Sequence, residues 1–201
     1  MLKDVVESQS PIHTRDISFR TFPAEGDRVI VQGELKDYRY VPVFDITGQV
    51  REPGVIHHMR LFCLVAPEPL RILKAEADMP TVPMAECRTC LDRVPPLEGM
   101  EIRPGFTRRI DELMGKTRGC THFCGLVKAM AQEMVHGWLT RKRREKTVLP
   151  RRIEDIKEKA FLVNSCRIWK EDGPRVKLFA KVMQEAIDAQ NASQGSGVSG
   201  A

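Results

Sequence analysis

The chain has 201 residues, of which 42% are hydrophobic and 29% are charged, with a formal net charge of +5. This length is enough for a hydrophobic core, and the composition is that of a globular protein and not of a disulfide-rich scaffold. The modest positive charge permits an anionic partner without requiring one.

We expect neither a signal peptide nor a membrane span in this sequence. The first ten residues are polar and lack an apolar centre, and no apolar run reaches the length that a bilayer requires. We therefore expect a cytoplasmic protein. In that compartment the six cysteines are expected to be free thiols, metal ligands or catalytic groups and not disulfides.

Alternation of apolar and polar residues predicts four β-strands in the N-terminal half. A polar lead-in occupies residues 1–13, and two strands follow over residues 15–21 and 28–36 with a turn between them. Residues 37–53 are rich in turn residues and predict a long irregular connection. The strongest strand is predicted over residues 54–66. A fourth strand begins at Leu73, with Leu73 in its apolar set.

Helical periodicity replaces strand periodicity in the C-terminal half. The predicted helices are a short one within residues 83–94, a second from Gly105 to Gly115, a third from about Thr121 to Lys142, and a last one around residues 176–187. Thr121 is a favourable N-cap residue for the third. Residues 153–169 fit either a helix or a strand.

Strands followed by helices predict an α+β fold, in which helices from the C-terminal half cover an antiparallel four-stranded sheet from the N-terminal half. We expect one domain over residues 14–188. It would lie between the flexible lead-in at 1–13 and a disordered Gly/Ser-rich tail at 189–201.

The richest chemistry lies in Gly119–Cys124, at the start of the third helix. Cys120 and Cys124 bracket the helix N-terminus, where backbone N–H groups and the helix dipole favour a thiolate. His122 lies two residues from each. This stretch predicts metal ligands or a nucleophile with its base. The alternative is that Cys124 is a small core residue and His122 binds a backbone carbonyl.

Two further groups of residues point to a metal. Cys87 and Cys90 form a C-x-x-C pair that suggests zinc, although the spacing matches no common zinc finger. His57 lies on the more apolar face of the strongest strand, and it would be a ligand if the helices carrying the thiols cover that face. Otherwise the two cysteines are half-buried and His57 is a satisfied core residue.

Two clusters of basic residues suggest an anionic partner. Arg103, Arg108 and Arg109 surround Gly105 at a helix entrance, a setting that suits a carboxylate or phosphate. They are equally compatible with a solvated surface. The basic run at 141–152 has no interleaved aromatic residue, which argues against nucleic acid, and we interpret it as an exposed helix end.

Several segments together resemble a bacterial family known as domain of unknown function 2889. The resemblance spans roughly residues 13–175, and its motifs lie at 54–59, 75–83 followed by Cys87, 97–109, 119–122, and 164–167 ahead of 172–174. The family implies no activity. The resemblance implies that the family has counterparts of five candidate site residues, which are His57, Cys87, Cys120, His122 and Cys166. It does not call for Cys63, Cys90 or Cys124, so it favours a mixed His/Cys site over a four-thiol site.

The sequence thus predicts an enzyme of unassigned activity acting on a small anionic substrate, with an acyl or aromatic part. Cys120 and His122 are the candidate catalytic residues, and Arg103, Arg108 and Arg109 would hold the anionic group. The candidate metal ligands are His57, Cys87, Cys120, His122 and Cys166, which suit zinc or iron. The alternative is a non-catalytic accessory module that binds an acidic ligand or partner, with structural cysteines. The oligomeric state stays open.

Overall fold

The computed structural model describes residues 1–144, 149–156 and 162–195. The chain forms two compact units, Met1–Arg144 and Glu145–Ala201. The predicted domain over residues 14–188 extends across both, and its boundaries stay a prediction.

The first unit is built on a four-stranded antiparallel sheet. After the exposed helix α1 (Leu2–Ser8), the strands follow in chain order as β1 (His13–Pro23), β2 (Val29–Arg39), β3 (Val43–Phe44), β4 (Val50–Arg51), β5 (Gly54–Ala66) and β6 (Arg71–Thr81). The large sheet has the order β1-β2-β5-β6, and β3 and β4 form a small hairpin inside the predicted irregular connection. The predicted sheet and the α+β fold are confirmed.

Both α-helices and 3₁₀ helices follow the sheet in the chain. The α-helices are α2 (Phe106–Met114) and α3 (Thr121–Lys142) in the first unit and α4 (Pro174–Gly195) in the second. The predicted short helix within 83–94 is a 3₁₀ helix, Ala85–Arg93. Cys120, and not Thr121, is the N-cap of α3, and no side chain caps that helix end. The prediction for Thr121 was therefore wrong, because the chain becomes helical one residue earlier.

Part of the C-terminal sequence lies outside the described residues. In the ambiguous stretch 153–169, residues 157–161 are not described, and short 3₁₀ helices occupy Ile153–Asp155 and Arg167–Trp169. The predicted tail overlaps the end of α4, which continues to Gly195, and residues 196–201 are not described. No helix among the described residues has both the length and the hydropathy of a membrane span.

Helix α3 covers the buried face of β1 and β2. The buried apolar residues of β2 and β5 alternate along each strand, from Val29 to Leu35 and from Met59 to Val65. Against them α3 places Met130, whose Sδ lies 3.0 Å from an ideal Cβ position on Gly33. The apolar face of the strands, which repeats every two residues, packs here against the apolar face of the helix, which repeats every 3.6 residues. This interface is the core of the first unit.

The inward face of β6 differs from the prediction at Leu73. The register between β5 and β6 shifts between Leu64 and Val65, so the two strands contain a bulge there. Ile72 is fully buried on one side of this bulge, whereas Leu73 is 39% exposed. The extra residue reverses the side-chain parity. Leu73 therefore does not belong to the buried face.

Candidate functional site

A row of polar residues crosses the end of the otherwise apolar sheet face. Arg15, Asp37 and His57 lie directly opposite one another on β1, β2 and β5. The next row on the same face contains Leu35 and Met59, which are buried. Because side chains alternate between faces along a strand, these three polar side chains lie on the same face of the sheet as the buried core residues.

Asp37 is the centre of this row. Its side chain is 1% exposed, and Arg15 donates two hydrogen bonds to it, from Nε to Oδ1 and from Nη2 to Oδ2, each 2.7 Å long. His57 Nδ1 lies 2.9 Å from the same Oδ2. The Arg15 hydrogen bonds, reinforced by its charge and by His57, hold the pKa of Asp37 below its usual value. The buried carboxylate is therefore ionised and fully engaged.

A bulge accompanies His57 in β5. Asp37 pairs with His57 and the next residue, Tyr38, pairs with Val55, which leaves Ile56 as an extra residue. Bulges of this kind re-aim neighbouring side chains and are frequent beside functional sites. With Nδ1 bonded to Asp37, the free ring atom of His57 is Nε2.

The start of α3 brings a second imidazole to His57. The ring centroids of His57 and His122 lie 4.1 Å apart, with an interplanar angle of 37°. Burial, with smaller contributions from the neighbouring His57 and Arg15, lowers the pKa of His122. His122 is therefore a neutral imidazole at neutral pH, the form that binds metals and accepts protons. Its Nδ1 lies 3.8 Å from the Sγ of Cys120.

These residues form a candidate metal centre. One ligand atom from each of Asp37, His57 and His122 lies within 4.8 Å of the other two, the only such group of three or more His, Cys, Asp and Glu residues in the described part of the chain. Arg15 neutralises the carboxylate and occupies both of its oxygens. Asp37 is consequently better suited to orient His57 through Nδ1 than to bind the ion itself.

The sequence model of a family described as "protein of unknown function (DUF2889)" matches residues 13–136. The chain belongs to the DUF2889 family. No curated protein and no solved structure matches it.

The DUF2889 match covers four of the five predicted metal ligands, and the structure assembles two of them. His57 and His122 belong to the group, and Cys120 lies beside it. Cys87 is half-exposed on the 3₁₀ helix Ala85–Arg93, outside the group. Cys166 is exposed, lies in the second unit and falls beyond the family match. The roles of Cys87 and Cys166 stay predictions.

The other cysteines have environments that disfavour a thiolate. Burial raises the pKa of Cys63 to about 12. Burial also raises the pKa of Cys124, which donates to Asp111 Oδ1 at 3.6 Å. Burial, with smaller contributions from the neighbouring Cys120 and Cys87, raises the pKa of Cys90. These thiols are protonated at neutral pH, in agreement with the lower weight that the family resemblance gives them.

The predicted anion site lies at the other end of the sheet from the histidines. Glu101 forms a β-bridge with Arg71, the first residue of β6, which pairs with Ala66 at the end of β5. The last residue of β6 instead pairs with His58, near the start of β5. The predicted arginines face acids: Arg103 Nε is 3.5 Å from Glu101, and Arg108 Nε is 3.8 Å from Glu112. The hydrogen bond from Arg71 lowers the pKa of Glu101, and the charge of Arg109 makes a smaller contribution in the same direction. Their role as an anion site stays a prediction.

Asp37 is the residue that sequence reasoning missed. It falls in the segment interpreted as an irregular connection, although β2 continues to Arg39. The alternation Val29, Val31, Gly33, Leu35 extends to position 37 and was the available signal. An acid at that position, taken alone, suggests that the strand has ended. Only its two cross-strand partners, Arg15 and His57, explain why a carboxylate is buried there.

Proposed function

We propose that the chain is a metal-dependent enzyme in which His57 and His122 bind a transition-metal ion. The observation that carries this proposal is the pairing of two imidazoles over a buried, ionised Asp37. Asp37 would fix the tautomer of His57 and direct Nε2 to the ion, as carboxylates do behind many metal-bound histidines. The lowered pKa of His122 favours the same neutral form of the second ligand.

Cys120 completes a mixed donor set in this proposal. Cys120 is the N-cap of α3, at the positive end of the helix dipole, and its Sγ lies 3.8 Å from His122 Nδ1. Two imidazoles and a thiolate suit zinc or ferrous iron better than magnesium or calcium. A bound ion of this kind would supply Lewis-acid activation of water or of a carbonyl oxygen.

We further propose that the substrate is a small anion that enters from the Arg15 side of the row. The Arg15 side chain is 43% exposed although it binds Asp37, and Arg15 lies in the same cross-strand row as His57. It is nearer to the histidines along the sheet than the arginines at Gly105. An acyl or aromatic part of the substrate and a cytoplasmic location complete the proposal; all six cysteines being free agrees with that compartment.

The metal content of the purified protein tests this function. Without an affinity tag of histidines, the wild-type chain is expected to carry about one zinc or iron ion. His57→Ala and His122→Ala should lose it, and Asp37→Asn should bind about 10–100-fold more weakly. His58→Ala is the matched control, because His58 is the next residue in β5 and bonds Glu34 on the other face, at 2.7 Å.

Elemental analysis and titration with zinc in a competing chelator measure these effects. A wild-type chain that binds none of the metals, or variants of His57 and His122 that bind as the wild type does, would contradict the metal proposal.

A second candidate function is favoured by the contact between Cys120 and His122. Without a metal, neutral His122 is placed to accept the thiol proton, which would make Cys120 a nucleophile. Alkylation by iodoacetamide then targets Cys120 first, and His122→Ala slows it at neutral pH. Equal alkylation rates in the wild type and in His122→Ala would exclude this candidate.

A further inference from the structure

The outer edge of β1 has no partner strand in the described part of the chain. The sheet order makes β1 and β6 the two edge strands. The edge of β6 is partly covered, because Ile72 donates to Met100 at 3.0 Å and Ile102 donates to Leu70 at 2.8 Å. Among the described residues, no strand pairs with the outer edge of β1. An open edge of this length is a template for another strand.

The register of β1 with β2 shows which backbone groups point outward. The pairing of these strands has no register shift. Tyr40 donates to the carbonyl of Ile12 and Ala24 donates to that of Arg28, so the even-numbered residues of β1 bond to β2. Hydrogen-bonded and non-bonded pairs alternate in antiparallel sheets. The odd-numbered residues of β1, from His13 to Thr21, therefore present N–H and C=O groups at the open edge.

The side chains of β1 are complementary to themselves about Ser18. This residue is the midpoint of His13–Pro23, so an antiparallel second copy centred there overlaps the entire strand. In that register Asp16 lies opposite Arg20 of the other copy, and Arg20 lies opposite its Asp16. On the other face Ile17, which is 44% exposed, lies opposite Phe19. Oppositely charged and apolar cross-strand pairs stabilise such a ladder.

Only this centre combines full overlap with charge complementarity. A centre at Asp16 or at Arg20 places like charges opposite each other, which is destabilising. The centre at Ser18 also pairs odd-numbered residues with odd-numbered residues, as the outward backbone groups require. Charges on an edge strand ordinarily block association. Here, placed symmetrically with opposite signs, they favour pairing with an identical strand.

We propose that β1 pairs with β1 of a second copy about a two-fold axis at Ser18, forming a continuous eight-stranded sheet. The interface is isologous, as in most homodimers. This inference does not rest on the proposed metal site, and its test does not require bound metal.

Light scattering coupled to gel filtration, over a range of concentrations, tests the pairing. The wild type is expected at twice the chain mass of 22.8 kDa. Asp16→Arg places arginines opposite arginines, and Arg20→Asp places acids opposite acids, so each variant alone should be monomeric. Mixed in equal amounts, they restore both opposite-charge pairs and should form a heterodimer. Asp27→Arg, an identical charge change in the exposed turn after β1, is the control and should remain dimeric.

A cross-link tests the register directly. Ser18→Cys should form a disulfide between copies under mild oxidation, because the two residues face each other across the axis. Trypsin releases residue 18 in the peptide between Arg15 and Arg20, so mass spectrometry distinguishes this bond from those of the native cysteines. Lys36→Cys, one strand further in on the same face, should not cross-link to itself.

Three outcomes would overturn the proposal. They are a monomeric wild type at every concentration, a dimer unaffected by both charge variants, and a dimer in which Ser18→Cys gives no cross-linked peptide. A monomer that instead binds extended peptides along β1 would assign the edge to another partner. Circular dichroism of every variant ensures that a loss of association is not a loss of folding.

Discussion

Two adjacent histidines of β5 hold carboxylates of β2 on opposite faces of the sheet. His57 lies 2.9 Å from Asp37 on the helix-covered face, and His58 lies 2.7 Å from Glu34 on the other. The Asp37 side chain is 1% exposed, whereas that of Glu34 is 25% exposed. A histidine–carboxylate pair is therefore a buried, preorganised site on one face and a partly exposed surface contact on the other. Burial, and not composition, makes the difference.

The surface pair predicts a pH dependence of stability. The His58 hydrogen bond, with a further one from Arg20 at 3.2 Å, lowers the pKa of Glu34. The unfolded chain therefore binds the proton more readily, so the stabilisation exists above the ordinary pKa near 4.5 and is lost as pH falls through the folded value. Glu34→Gln should lose less stability than the wild type between about pH 6 and pH 3.

Urea unfolding at several pH values measures this difference. Glu25→Gln, in the exposed turn after β1, is the control and should follow the wild type. If the free energy of unfolding changed with pH in the same way in the wild type and in Glu34→Gln, the pair would contribute nothing to the pH dependence of stability.

At the scale of elements, the contact of α3 with β1 determines how closely the helix approaches the sheet. An ideal Cβ on Gly137 would lie 2.1 Å from Thr21 Oγ1 and 2.8 Å from Thr21 Cβ. One turn earlier, Glu133 accepts a hydrogen bond from the same hydroxyl. Only glycine permits this approach, so the helix position depends on one missing methyl group.

Gly137→Ala should therefore destabilise the chain by about 2–3 kcal/mol, because the added methyl group pushes α3 away from the strand. Gly125 provides the matched control in the same helix. An ideal Cβ there has no atom within 4 Å, so Gly125→Ala should raise stability by up to ~1 kcal/mol through helix propensity. Chemical denaturation measures both. Equal effects of the two substitutions would contradict this account of the interface.

Sequence periodicity predicted the elements well where one face is buried. Residues 54–66 and 121–142 were predicted with the bounds that the structure gives β5 and α3, since long amphipathic patterns leave little ambiguity. The prediction failed at Leu73, where a bulge reverses the side-chain parity. Such local insertions leave no signature in an alternation of apolar residues.

For the molecule as a whole, the sequence predicted two members of the candidate metal centre but not their partners. His57 and His122 were chosen because one lies on an apolar strand face and the other at a helix start, and the structure brings their rings to 4.1 Å. Asp37 and Arg15 could not be chosen, because their importance arises from cross-strand register between distant segments. Long-range pairing is the information that a local pattern lacks.

The two compact units also differ in whether the family match covers them. The family match ends at residue 136, inside the first unit, and all three members of the candidate metal centre lie within it. The proposed chemistry thus requires only the part of the chain that the family shares. The second unit, which contains Cys166 and α4, carries no matched residue.

Helix α3 connects the site to the far end of the sheet, and this makes its length a constraint on evolution. His122 meets His57 at one end of the sheet, and Gly137 meets Thr21 further along it. A single inserted or deleted residue between them turns one end by about 100° and shifts it by about 1.5 Å relative to the other. Relatives that retain both contacts are therefore expected to vary in length in the turns at 24–28 and 45–48, and to conserve the spacing of fifteen residues between positions 122 and 137.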